Sequence, residues 1–313
     1  MTHFADRLIE RAVRIDSRVI VGLDPEVERF PVFLRERLRD EPTEERLEET
    51  LFAFNRAIIE VTAPMAVGYK PQAAFYEQYG TAGHIALRRT LMLLRDLEIP
   101  IIMDGKRNDV AHTAKAYATA WLATHHPVFK TPNPWRADAL TINGYLGKDG
   151  VLPFLETNRE AGLFVLAKTS NPSSGDLQDL ELVSGGTVAD KMAQLAEIWG
   201  RDSIGAYGYG NVGIVVGATY PETAARLRRV APHALFLMPG IGAQGGSLQS
   251  VTVAAGPQGV GAYAASSRGV MYPFKPEELA GADWRAGLAG RVEEAARTLQ
   301  TAVSKALVTT ASG

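Results

Sequence analysis

The chain has 313 residues, 46% hydrophobic and 22% charged, with 33 Lys and Arg against 35 Asp and Glu for a net charge of −2. This is a globular composition; the near-neutral charge argues against a nucleic-acid surface, which should be strongly basic, but leaves room for a few local Arg and Lys residues to hold one phosphate. There is no cysteine, which removes disulfides, thiolate chemistry and Cys-ligated zinc together and fits a reducing compartment.

The opening stretch, MTHFADRLIERAVR, carries charge throughout and has no apolar core of signal-peptide kind. No apolar run approaches the roughly 20 residues of a membrane span. A cytoplasmic protein without membrane or nucleic-acid partners is expected. Short apolar runs then alternate with helical patterns. The run Arg18–Asp24 precedes a helical stretch over Glu44–Thr62, where Leu47, Leu51, Phe54 and Ile58 share a face. Met65–Lys70 precedes a helix over His84–Leu97, and Ile99–Asp104 precedes one over Ala111–Thr124. Ala137–Asn143 is followed by Gly150–Arg159, Leu163–Thr169 by Val188–Trp199, and Gly213–Thr219 by Glu222–Val230. Ala234–Pro239 leads to a short helix near Ser247–Val253, and Val260–Ser266 to a long final helix over Trp284–Leu307. The tail Thr309–Gly313 is expected to fray.

Eight strand candidates alternating with helices imply a parallel sheet, because parallel neighbours need crossover connections. A single α/β domain over residues 1–313, a (β/α)8 TIM barrel, accommodates all eight. Its catalytic residues belong at the C-terminal strand ends. Here those ends read Asp24, Lys70, Asp104 with Lys106, Asn143, Lys168 to Ser170, Thr219, Pro239, and Ser267 with Arg268.

The densest chemistry lies in Asp104-x-Lys106-x-x-Asp109. A lysine between carboxylates stays protonated and can deliver a proton to a developing carbanion. The plain structural explanation has Asn108 or Asp109 capping the next helix and Lys106 in solvent; the strand end and two distant loops point to chemistry instead. The first loop, Pro239–Gly246 (PGIGAQGG), follows strand seven, and its glycines let backbone N–H groups approach an anion. The second, Ser266-Ser267-Arg268-Gly269, ends strand eight, where an arginine can pair with phosphate in bidentate fashion. Barrels often bind phosphate after these two strands.

Gly240-x-Gly242-x-x-Gly245 and Gly208-x-Gly210-x-x-Gly213 match the dinucleotide fingerprint in form only. The second precedes a strand, and the first lacks the acidic residue about 20 positions on. Thr219-Tyr-Pro-Glu222 has the form of a capping box, which would make Thr219 structural. His112, His125 and His126 lack metal-site spacing and read as surface residues. Ser170 fits either a ring-binding role or an ordinary turn, and Asp176–Gly186 either a mobile lid or a surface loop. Asp24 and Lys70 could join Asp104 and Lys106 in an alternating charge network.

Taken in order, GLDP (Gly22–Pro25), YKPQAAFYEQYG (Tyr69–Gly80), DGKRNDVAHTAKAYA (Asp104–Ala118), KTSNPSS (Lys168–Ser174), PGIGAQGG and SSRG resemble the orotidine 5′-phosphate decarboxylase family, in its longer bacterial type, from about Arg18 to Met271. The resemblance implies decarboxylation of orotidine 5′-phosphate to uridine 5′-phosphate in pyrimidine biosynthesis, with no metal and no cofactor. It implies that Lys106 protonates carbon 6 and that Asp104 lies against the departing carboxylate. Asp24 and Lys70 would hold the ribose hydroxyls, Ser170 the pyrimidine, and Gln244 ring and phosphate together. Arg268, with Pro239, Gly245 and Gly269 around it, would take the phosphate. Asp109 and Thr113 would reach into a second subunit's site, making a homodimer. Asn108 departs from the residue more usual before Asp109. Sugar-phosphate barrels similar to this family share D-x-K-x-x-D but hold magnesium with an acidic residue at the end of strand two; this chain has Lys70 there. A barrel that binds nucleotides without catalysis is the other alternative, and Asp104 with Lys106 argues against it.

Overall fold

In a computed structural model, residues 3–241 and 245–311 are described, the last three by their backbone alone. Eight parallel strands form one sheet: β1 Val19–Leu23, β2 Ala66–Pro71, β3 Ile102–Arg107, β4 Ala139–Ile142, β5 Gly162–Lys168, β6 Val212–Val216, β7 Phe236–Pro239 and β8 Ala262–Ser266. Their order is β2-β1-β8-β7-β6-β5-β4-β3, and single parallel bridges Tyr69–Ile101 and Gln72–Asp104 join the two ends. The sheet is thus a (β/α)8 barrel, as the alternation predicted. None of the described helices is long and apolar enough to cross a membrane.

Side-chain alternation along each strand divides the core in two. Ile20, Val67, Ile102, Ala139, Phe164, Val215, Leu237 and Tyr263 fill the barrel interior. Val19, Val21, Ile101, Met103, Leu140 and Ile142 pack outward under the helices. Beneath the interior lies a helix the sequence analysis did not assign, Phe4–Arg14, whose Phe4, Leu8 and Ile9 are fully buried against it. Phe4 fits because Gly162 has no side chain: a Cβ there would stand 2.2 Å from the ring. This helix closes the N-terminal end of the barrel.

Most predicted elements lie within a few residues of the observed ones. Among the strands, β3 is displaced at both ends: it starts at Ile102 rather than Ile99 and runs on to Arg107 rather than Asp104. Pro100 has no N–H for the ladder, and the residues expected to form a loop belong to the strand. The final helix runs from Trp284 to Ala311.

Candidate active site

The inward face of β3 carries Ile102, then Asp104, then Lys106, two residues apart as a strand requires. Ile102 seals the interior below, and the two charged side chains reach the mouth. Asp104 is 7% exposed, so its carboxylate must be satisfied within the protein. Four donors do so: Lys70 Nζ at 2.9 Å and Gln72 Nε2 at 3.0 Å give to Oδ2, and Lys106 Nζ and Thr141 Oγ1, each at 2.7 Å, give to Oδ1. The Thr141 hydroxyl also accepts from the Lys106 backbone N–H at 3.0 Å. Lys106 itself has φ +44°, a left-handed conformation that costs an L-residue about 1–2 kcal/mol and is held here by that bond. The β3–β4 register shifts at this point.

Burial alone would push the Asp104 carboxyl up; Lys70 and Lys106 outweigh it and hold the group well below the usual carboxylate range. Burial likewise opposes charge on Lys70, but Asp104 and Asp24 hold its ammonium above its ordinary value. Asp24 differs: burial pushes its carboxyl up, and Lys70 and the Ser267 hydroxyl only partly offset this. Its Oδ1 is buried with no protein partner, an acceptor fit for a ligand hydroxyl.

These groups line one side of a cavity of about 690 Å³ at the C-terminal strand ends. Ser170, Pro239, Arg268 and Gly269 line it as well. Arg268 follows Ser267, whose approach to β1 requires Gly22: a Cβ there would lie 1.9 Å from Ser267 Oγ. Gly245 has φ +73°, a conformation glycine tolerates, and does not line the cavity; Gln244 lies outside the described residues.

Ser170 is held at the cavity wall by a set of neighbours that includes Asp179 and Gln178, which the sequence analysis did not single out. Lys168, 1% exposed, gives its ammonium to both oxygens of Asp179 at 2.7 Å and lies 4.8 Å from the Tyr220 ring centroid. The Thr169 N–H donates to Gln178 Oε1, whose Nε2 donates back to Thr169 Oγ1, both at 2.8 Å. Beneath, a Cβ on Gly217 would come within 2.9 Å of the Ser170 backbone. The start of the 176–186 segment is therefore fastened to the end of β5.

Asp109 and Thr113 do not line the cavity. Neither Asn108 nor Asp109 caps the following helix, Ala111–Leu122: its N-cap is Val110, without a side-chain bond, and Asp109 Oδ1 accepts from the Val110 N–H at 2.8 Å. The capping box expected at Thr219 is absent. The helix there is Pro221–Val230 with Tyr220 at the N-cap, so Thr219 lies one position too early, and its hydroxyl is buried without a partner. His112 and His125 are exposed and His126 half-buried. Among the described residues no group of three or more acidic, His or Cys side chains could hold a metal ion.

Missed by the sequence analysis as individual site residues were Gln72, Thr141, Lys168 and Gln178. Carrying inward-face alternation around every strand would have found Thr141, two residues beyond Ala139.

The chain matches the orotidine 5′-phosphate decarboxylase / HUMPS family over residues 17–280. It is similar to the orotidine 5′-phosphate decarboxylase of Rhodopirellula baltica, 43% identical over 284 residues covering 89% of this chain and 91% of that one. The enzyme of the same name from Caldicellulosiruptor bescii is 41% identical over 280 residues, 88% and 91% of the two chains. Among solved structures, a putative orotidine-monophosphate-decarboxylase from Toxoplasma gondii superposes with a TM-score of 0.76 at 31% identity, covering 97% of this chain and 98% of that one. On that breadth of match the chain is an enzyme and belongs to the orotidine 5′-phosphate decarboxylase / HUMPS family.

Proposed function

We propose that this enzyme decarboxylates orotidine 5′-phosphate to uridine 5′-phosphate without metal or cofactor, using Lys106 as the proton donor. The observation that carries the proposal is Asp104, a buried carboxylate between two ammonium groups in a cavity that also holds Arg268. With the substrate's carboxylate placed against Asp104, two negative charges meet. Asp104 cannot escape by taking a proton, because Lys70 and Lys106 hold it ionised. Loss of carbon dioxide relieves the repulsion and leaves an electron pair on carbon 6; Lys106 Nζ gives that carbon a proton. Ground-state stress and pre-organised electrostatics are both compatible with this arrangement.

The remaining residues serve binding. Arg268 with the Pro239 and Gly269 backbones takes the phosphate, far from carbon 6, so that its binding energy can position the reacting group. Asp24 and Lys70 hold the ribose hydroxyls, a role supported by the unpartnered Asp24 oxygen, and Ser170 faces the pyrimidine. Lys70 would repel a divalent cation at the strand-two position, which separates this reading from the magnesium-dependent sugar-phosphate branch. Asp109 and Thr113 act in a partner subunit's cavity: they lie outside their own, with Val110 and Leu146 exposed at 44% and 43% nearby. The enzyme is thus a cytoplasmic homodimer with shared sites.

The test is the fall in orotidine 5′-phosphate ultraviolet absorbance on adding the enzyme, unchanged in EDTA. No fall, or loss in EDTA restored by magnesium, overturns the proposal. For the shared site, inactive Lys106→Ala and Asp109→Ala subunits are mixed; partial recovery is expected, and no recovery despite proven exchange refutes it.

A further inference from the structure

At the opposite end of the barrel, the closing helix Phe4–Arg14 turns a second face outward. Arg7, Arg11 and Arg14 recur at the i, i+4, i+7 spacing of one helical stripe. They line a cleft of about 420 Å³ together with Arg95 and Arg136, which precede β3 and β4. Three carboxylates share the cleft. Asp138 is already engaged, accepting from Arg7 at 2.6 Å and from the Ile101 N–H at 2.9 Å. Glu10 and Glu98 are exposed.

Two of the arginines are fixed in place by backbone carbonyls. Arg11 donates to Ala66 and Ala63 at 2.9 and 2.8 Å, and Arg95 to Arg136 and Pro134 at 2.9 and 3.0 Å. A guanidinium carries five N–H donors, so each keeps further donors while its orientation is set. Arg7 Nε is buried without a partner. Burial and then the charge of Arg14 hold Arg11 below the ordinary arginine range, and burial and then Arg136 do the same to Arg95. Pre-oriented, crowded guanidinium groups are suited to a ligand with several negative oxygens.

We infer that this cleft is a second anion site, separate from the catalytic mouth, that binds an oligophosphate, either free or as the phosphate chain of a nucleotide. Its five arginines and its fixed donors favour a short, multiply charged chain over a single phosphate. Because the full length of the barrel lies between, occupancy competes with nothing at the mouth.

The experiment uses the full-length chain carrying Arg268→Ala, which weakens anion binding at the mouth, with inorganic tripolyphosphate and ATP as probes in calorimetry and thermal unfolding. Either probe is expected to bind and to raise the unfolding midpoint by about 2–4 °C at saturating concentration. Adding the exposed Arg14→Glu is expected to weaken binding at least tenfold, while Arg14→Lys retains most of it. Tighter binding of ATP than of tripolyphosphate identifies a nucleotide as the ligand; equal binding identifies the phosphate chain alone. Arg14→Glu on the otherwise unchanged enzyme should leave decarboxylation intact. The inference is overturned if neither probe binds, if binding survives Arg14→Glu, or if sodium chloride at matched ionic strength gives the same midpoint shift.

Discussion

At the mouth of the barrel, Asp104 stands between Lys70 and Lys106, 2.9 and 2.7 Å away. At the floor, Arg11 bears the charge of Arg14, and Arg95 that of Arg136. Opposite charges alternate at one end and like charges gather at the other. Both clusters are partly desolvated, but the mouth pairs Asp104 with two ammonium groups, whereas the floor anchors Arg11 and Arg95 on carbonyls and sets five arginines against three carboxylates, of which Asp138 pairs with Arg7. A fully paired network holds groups in fixed ionisation states for chemistry; one with cations in excess is suited to an anionic ligand.

The largest effect expected from breaking the mouth is on rate. Lys106→Ala removes the proposed proton donor without leaving a buried charge unpaired, since Lys70 still faces Asp104. Turnover should fall by about 10²–10⁴-fold or more with stability little changed, measured by the absorbance assay beside urea unfolding. Asp104→Ala should damage both. It strands the buried Lys70 ammonium at a cost of about 3 kcal/mol, the low end for such a break because Asp24 remains near. Replacing both partners, Lys70→Met with Asp104→Leu, should recover most of that stability and none of the activity.

The pH dependence of stability follows with a definite sign. The Asp104 carboxyl lies lower folded than unfolded, so its contribution is complete above the unfolded carboxyl range and drains away below about pH 4. Lys70 lies higher folded than unfolded; its contribution is present at neutral pH and lost only on the alkaline side, above its ordinary value of 10.5. Unfolding of wild type and Asp104→Asn across pH 2–7 should therefore converge at the acid end. A constant gap would contradict the assigned ionisation of Asp104.

A smaller effect is expected where the loop after β5 is fastened. Asp179→Ala leaves the Lys168 ammonium without its carboxylate, but Asp179 is 53% exposed, so water replaces part of what is lost. The cost should be about 1–3 kcal/mol. The loosened Ser170 should raise KM more than it lowers kcat, and Asp179→Glu should restore KM. Equal losses in both mutants would mean that the loop is held by something other than this ion pair.

Much of the mouth was legible in the sequence because strand alternation delivers every second residue to the interior, and the strand ends carry the polar exceptions. Asp104 and Lys106 follow Ile102 by that rule and Asp24 follows Ile20, while Lys70 ends β2 out of step with Val67 and Arg268 lies two residues past the end of β8. Asp179 does not fall to it, since its pairing with Lys168 at the end of β5 closes a loop whose path no periodicity encodes. β3 also resisted: Pro100 delays its start, and the strand resumes its pairing with β4 at Arg107, past the left-handed Lys106, where charged residues suggest a loop. The N-terminal helix was missed for a related reason. Its apolar face is only Phe4, Leu8, Ile9 and small residues, and the dense charge that argues against a signal peptide includes the arginine stripe of the floor.

That stripe supplies the smallest and most discriminating prediction. Removing a surface arginine ordinarily changes stability by no more than about 0.5 kcal/mol, and usually for the worse. Arg14→Ala should run the other way at low salt. Burial chiefly depresses Arg11 and the charge of Arg14 adds to it; the substitution relieves that second cause while leaving the Arg11 bonds to Ala63 and Ala66 intact, so the variant should be slightly more stable than wild type by urea unfolding. The difference should shrink as sodium chloride approaches 1 M, where screening falls to about 3 Å, because salt then does for the wild type what the mutation does. If Arg14→Ala is instead destabilising at every salt concentration, Arg14 contributes through packing, and the floor is as internally balanced as the mouth.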